Sequence, residues 1–164
     1  MRFLAVSLVV VQSAVAAERL PGLGADVSTF TVSGVSSGGY MAVQMQVAHS
    51  SRVRGVGALA AGPYYCAQGS LWTAINHCMT PGWWTRLPDV QALKSHAERL
   101  AQEKRIDPTA RLSQARVWLF AGTQDRTVKP EVVNALAKQY ALFGAKPLLI
   151  ADKPAGHAMV VEQA

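Results

Sequence analysis

Four short β-prone stretches alternate along this sequence with helix-forming segments, an order that restricts the fold to α/β layers around a mainly parallel sheet. The first stretch runs from Ser28 to Ser33, meets Gly34 and passes into a helix-like segment from Gly39 to about Ala48. The second, Val53 to Leu59, is mostly apolar with small residues, as expected of a strand covered on both faces, and it stops near Gly62-Pro63. From Tyr64 to Ser113 the chain is irregular around its cysteines and then helical, with an amphipathic stretch from Val90 to Glu103. Residues 64–113 therefore read as a cap-like region inserted between strands. The third stretch, Arg116 to Ala121, ends in Gly122-Thr123-Gln124-Asp125, after which Pro130 opens a helix that runs to about Phe143 and is stopped by Gly144. The fourth, Pro147 to Ala151, leads into a loop that ends at Gly156-His157. In a sheet of this kind, the loops beyond the carboxyl ends of the strands build the functional site.

The bulk properties permit one domain and narrow its partners. Half of the 164 residues are apolar, enough for a single core. Met1-Arg2, an apolar run from Phe3 to Val11 and the small residues Ala14-Val15-Ala16-Ala17 read as an export signal over residues 1–16, with residues 17–164 as the mature chain. The alternative is a buried N-terminal element. The apolar run is too short to span a bilayer, so no stable membrane insertion is expected once the signal is removed. Net charge is +6, and +5 once Arg2 leaves with the signal. The basic residues are scattered without aromatic interleaving, which favours a solvated surface over a nucleic-acid groove. In an exported chain, Cys66 and Cys78 suggest one disulfide, the alternative being two buried thiols. His77 beside Cys78 lacks the companions of a metal site, and neither metal nor organic cofactor is expected.

Chemistry enters with Gly34-Val35-Ser36-Ser37-Gly38, a G-x-S-x-G pattern between an expected strand and an expected helix. Such a turn strains the backbone of its serine, and a Cβ two residues before or after would collide, so both flanking glycines have a steric reason; Gly39 relaxes the same crowding. The helix N-terminus would offer backbone donors to an oxyanion, the Ser37 amide first. Ser37 is also the rival nucleophile, but it lacks the symmetric glycine spacing. A serine hydroxyl needs a base to take its proton, and the base needs a carboxylate to orient it. Asp125 follows the third strand and His157 the fourth, so the order Ser36, Asp125, His157 is that of an α/β-hydrolase triad. Asp125 could instead shape a turn or pair with Arg126, and Asp152 is a rival acid in the histidine's own loop. His49, His77 and His96 fall at a helix end, beside a cysteine and within a helix, and are expected to be surface or core residues. Adjacent Trp83 and Trp84, after Pro81-Gly82, could grip an apolar substrate surface or pack into the cap with at least one ring buried.

Three segments together, Gly34 to Ala42, Gly122 to Val128 and Gly156 to Met159, resemble the secreted poly(3-hydroxybutyrate) depolymerases of the esterase type, from about Val27 onward. The resemblance implies hydrolysis of a polyester through an acyl-serine intermediate, with Ser36 as nucleophile, Asp125 as acid, His157 as base and Ser37 as an oxyanion amide. It also implies that Cys66 and Cys78 lie where the family has a short disulfide loop. The implied fold is a circularly permuted α/β-hydrolase: only about twenty mature residues precede Ser36, too few for a βαβ unit, and the family places its remaining strands and second oxyanion donor after the histidine. The chain ends seven residues after His157, so the expectation is a partial catalytic domain, truncated after that loop, whose activity is impaired. A feruloyl or acetyl esterase acting on plant polysaccharide uses the same triad and is the alternative enzyme. An inactive depolymerase fragment is the alternative from outside enzymology. Oligomeric state is not legible.

Overall fold

A computed structural model describes Arg19, residues 21–26 and residues 28–161 of the chain. The expected export signal lies outside the described residues. Strands β1 (Phe30–Val35), β2 (Val53–Leu59), β3 (Arg116–Phe120) and β4 (Leu148–Ile150) form one sheet in the order β1-β2-β3-β4. All three pairings are parallel. Each connection must therefore cross back over the sheet, and the helices do this: α1 (Ser37–Ala48) after β1, α2 (Leu71–Cys78) and α3 (Val90–Gln102) after β2, and α4 (Pro130–Leu142) after β3.

Local chemistry sets the helix ends. Asp89 caps α3 by accepting from the amides of Gln91 and Ala92, and Pro130 occupies the first turn of α4, where a missing N–H costs nothing. Gly144 follows α4 with φ 86° and accounts for its stop. The inner face of α3 is Leu93, Ala97 and Leu100, spaced by four and three residues as a single buried stripe requires. On α1, Ala42, Val43 and Val47 enter the core, while Met41 and Met45 face outward.

One expectation about the elements needs correction. The segment after Cys66 is not wholly irregular, because Leu71–Cys78 forms α2, capped by Ser70 Oγ, which accepts from the Thr73 amide at 3.2 Å. This helix spans only eight residues, barely two turns, and Leu71, Trp72 and Ile75 on its apolar side are exposed. The expectation that β2 is covered on both faces is met: Val56 and Ala58 sit in the main core with Val32, Val117 and Leu119, and Val53 and Leu59 are buried on the opposite face. Across that face Ser33, Gly57, Trp118 and Leu148 lie in one register row, and Trp118 and Leu148 are exposed.

Cys66 and Cys78 form a disulfide with their Cα atoms 6.0 Å apart. It closes the start of the insertion onto the end of α2. Replacing both cysteines by serine should lower stability by ~3 kcal/mol, because the unfolded chain regains the entropy of a short closed loop. Thermal unfolding with and without reductant checks this, with a Tm shift of roughly 6–12 °C expected for a domain of this size.

Candidate active site

The turn after β1 holds Ser36 at φ 56° and ψ −124°, a conformation L residues rarely adopt. Its amide donates to the Leu59 carbonyl at 3.0 Å, and its carbonyl accepts from the Tyr40 amide at 2.9 Å. The chain is therefore held on both sides of the serine. Ser36 occupies the N-cap position of α1, yet its side chain makes no capping bond. Its hydroxyl is not spent on the helix, unlike that of an ordinary N-cap serine. Ser37 opens α1 and is exposed; its amide belongs to the first turn, whose N–H groups have no intrahelical acceptor.

The glycines around Ser36 are not equivalent. A Cβ on Gly34 would fall 2.3 Å from the Gly38 carbonyl carbon, and one on Gly39 would fall 3.0 Å from the Leu59 carbonyl oxygen and the Ala61 side chain. A Cβ on Gly38 would meet nothing within 4 Å. The collision expected at both flanking positions thus occurs at Gly34 alone, because the backbone of Gly38, not its missing side chain, is the crowding partner.

The other two candidates meet each other. Asp125 is buried, and its Oδ2 lies 2.9 Å from His157 Nδ1. Its Oδ1 accepts from the amides of Thr127 and Val128 at 2.8 and 2.9 Å. The turn role and the histidine partnership, posed as alternatives for Asp125, are therefore both present, one on each oxygen. Asp152 instead pairs with Lys153 at the surface. His49 ends α1, His77 Nδ1 donates to the Arg86 carbonyl and His96 stacks on Tyr65 with ring centroids 3.9 Å apart. Among the described residues, no cluster of three or more His, Cys, Asp or Glu could hold a metal ion.

Two backbone bonds bring Asp125 and His157 together. The Thr123 amide donates to the Lys153 carbonyl at 2.8 Å and the Gln124 amide to the Ala155 carbonyl at 3.1 Å. Gly122 makes this approach possible, since a Cβ there would lie 2.1 Å from the Ala155 oxygen. Sequence reading missed Gly122; its position at the end of an expected strand, three residues before the acid, was the available signal.

A cavity of about 450 Å³ opens beside the elbow, lined by Ser36 and Ser37, by Tyr40 and Gln44 of α1, and by Cys66 and Cys78 of the insertion. The insertion is tied down from several sides. Gln139 of α4 accepts the Tyr64 amide at 2.7 Å and donates to the Tyr64 carbonyl at 3.3 Å. Lys129 donates from its amide to the Met79 carbonyl at 2.9 Å and from Nζ to the Pro81 carbonyl at 3.0 Å. Beyond Pro81, Trp83 and Trp84 lie with centroids 3.6 Å apart and are 84 % and 80 % exposed. The expectation that cap packing would bury at least one of them is not met.

No family model matches the chain. A poly(3-hydroxybutyrate) depolymerase of Delftia acidovorans is 42% identical over 161 residues, which is 96% of this chain. A PHB depolymerase solved with an R3HB trimer superposes with a TM-score of 0.68 at 31% identity, covering 80% of this chain and 40% of that one. Over most of its length the chain is similar to poly(3-hydroxybutyrate) depolymerases. A polyhydroxybutyrate depolymerase of Talaromyces funiculosus is 36% identical over 130 residues. The chain spans about a third of the length of these curated relatives, 32% of the first and 36% of the second. Acyl-protein thioesterase 2 of Zea mays, at 17% identity and a TM-score of 0.51, shares the α/β-hydrolase fold.

Proposed function

We propose that this chain carries the catalytic line of a secreted serine esterase that hydrolyses poly(3-hydroxybutyrate) or a related short-chain polyhydroxyalkanoate. The observation that carries the reading is the hydrogen bond between buried Asp125 and half-buried His157, on loops of the same sheet whose first strand presents Ser36 in a positive-φ turn. His157 takes the Ser36 proton as Oγ attacks an ester carbonyl, and Asp125 orients the imidazole and stabilises its charged form. The Ser37 amide and the positive end of α1 stabilise the oxyanion. Collapse of the tetrahedral intermediate expels the hydroxyl end of one polymer segment, protonated by His157, and leaves an acyl-serine. Water then enters with His157 again as base, releasing a carboxylic acid and restoring Ser36. No step calls on a metal or organic cofactor.

Both curated relatives are polyhydroxybutyrate depolymerases, and a solved relative is complexed with an R3HB trimer, which supports a polyester over a ferulate or acetate ester of polysaccharide. Secretion is read from residues 1–16; among the described residues no helix is long and apolar enough to cross a membrane. The test has two arms. Release of 3-hydroxybutyrate from amorphous polymer, with no release of ferulate or acetate from plant polysaccharide, is expected. A fluorophosphonate should modify Ser36 alone, as read by peptide mass spectrometry; labelling elsewhere would remove Ser36 from the mechanism.

Trp83 and Trp84 are assigned to contact with the polymer surface, because two neighbouring indoles left in water are costly unless they meet an apolar partner. Changing both to Ala should weaken adsorption to polymer particles on the order of tenfold or more and leave hydrolysis of a short soluble ester unchanged. Equal losses on both substrates would take the pair out of polymer contact.

A further inference from the structure

A cavity wall that must stay at a set distance from a nucleophile has to be tied to the element that carries the nucleophile. One side of the cavity beside Ser36 belongs to α1 and the facing side to the insertion. Two bonds join those sides directly. Gln44 Oε1 accepts the Tyr65 amide at 3.1 Å, and the Tyr40 hydroxyl donates to the Cys78 carbonyl. Because the disulfide links Cys66 to Cys78, the two bonds hold opposite ends of one covalent unit. The ties from Gln139 and Lys129 originate in α4 and in the loop before it, not in the nucleophile's helix.

Tyr40 is the more telling of the two struts. It lies one helical turn beyond Ser36, to whose carbonyl its amide donates, and its ring packs against both the main core and the cluster of Cys66, Cys78 and Leu93. A Cβ on Gly62 would come within 2.8 Å of that ring, so the ring is confined on its sheet side. Burial holds the phenol well above its ordinary pKa, and the hydroxyl therefore keeps its proton and remains a donor.

We propose that Tyr40 is a positioning residue for substrate selection: through the Cys78 carbonyl it holds the disulfide wall against α1 and thereby limits the length of acyl chain the cavity accepts. The inference rests on Ser36 being the acylated serine. Cutting the strut frees the wall to move outward. Short acyl groups then lose apolar contact and longer ones gain room, so binding changes while the chemistry at Ser36 does not.

Tyr40→Phe keeps the ring and removes only the bond. Steady-state kinetics of the full chain on p-nitrophenyl butyrate and p-nitrophenyl octanoate should show an unchanged kcat on butyrate and a raised KM. The octanoate-to-butyrate ratio of kcat/KM should rise roughly tenfold, the order of one neutral hydrogen bond. Gln44→Ala, which cuts the bond at the other end of the wall, should move the ratio the same way, and it decides the matter if Tyr40→Phe does not fold. An unchanged ratio, or an equal fall on both esters, overturns the proposal and leaves the Ser36 reading standing. Failure of fluorophosphonate to modify Ser36 in the unsubstituted chain overturns that reading, and this inference with it.

Discussion

Ser36→Ala should reduce hydrolysis of a short chromogenic butyrate ester on the order of 10⁶-fold, the loss seen when a nucleophile that acts as one unit with its base is removed. The fold should survive. Alanine keeps the same Cβ in the same φ 56° turn, and the deleted hydroxyl makes no capping bond to α1, so neither strain nor helix stability changes. The check is kcat/KM beside thermal unfolding of both proteins. A folded variant that retains most of an initially measurable activity would show that another group attacks the ester, with Ser37 the nearest alternative.

Asp125→Asn should cost about 10⁴-fold in kcat with little change in fold. The reason lies in the two ends of the carboxylate. Oδ1 accepts two backbone amides, from Thr127 and Val128, and only an oxygen can stay there. The asparagine amide is therefore forced to turn its NH2 group toward His157 Nδ1, which must then accept, leaving the proton on Nε2. Such an imidazole cannot take a proton from Ser36. Nitrogen chemical shifts of His157 report the tautomer directly; an unchanged tautomer together with the expected rate loss would point to lost charge stabilisation instead of misorientation. The same substitution leaves the turn bonds in place, which separates it from Asp125→Ala, where two buried N–H groups lose their acceptor.

Much of the fold follows from local pattern. The β2, β3 and α4 starts fall where the sequence predicts them, at Val53, Arg116 and Pro130, because β-branched runs, a proline at a first turn and a stopping glycine act within a few residues. The short helix α2 escaped, since its eight residues make barely two turns, too few for the helical period to stand out from the loop residues around it. The exposed Trp83 and Trp84 could not be told from packed ones, because exposure depends on whether another element covers the loop.

The sequence alone determined which residues can form a serine esterase site: a serine with glycines beside it, an acid and a histidine in hydrolase order, each after a β-prone stretch. Those are properties of spacing and residue type, carried by short-range sterics and strand propensity. Only the tertiary structure decided that Asp125 serves the turn and His157 at once, that Gly34 is crowded while Gly38 is free, and that Gly122 lets one loop lie on the other. It also decided that Tyr40, 38 residues before Cys78, reaches across to the disulfide wall. These are contacts between segments far apart in the chain, and their distances exist only once the parallel sheet has set its strands side by side.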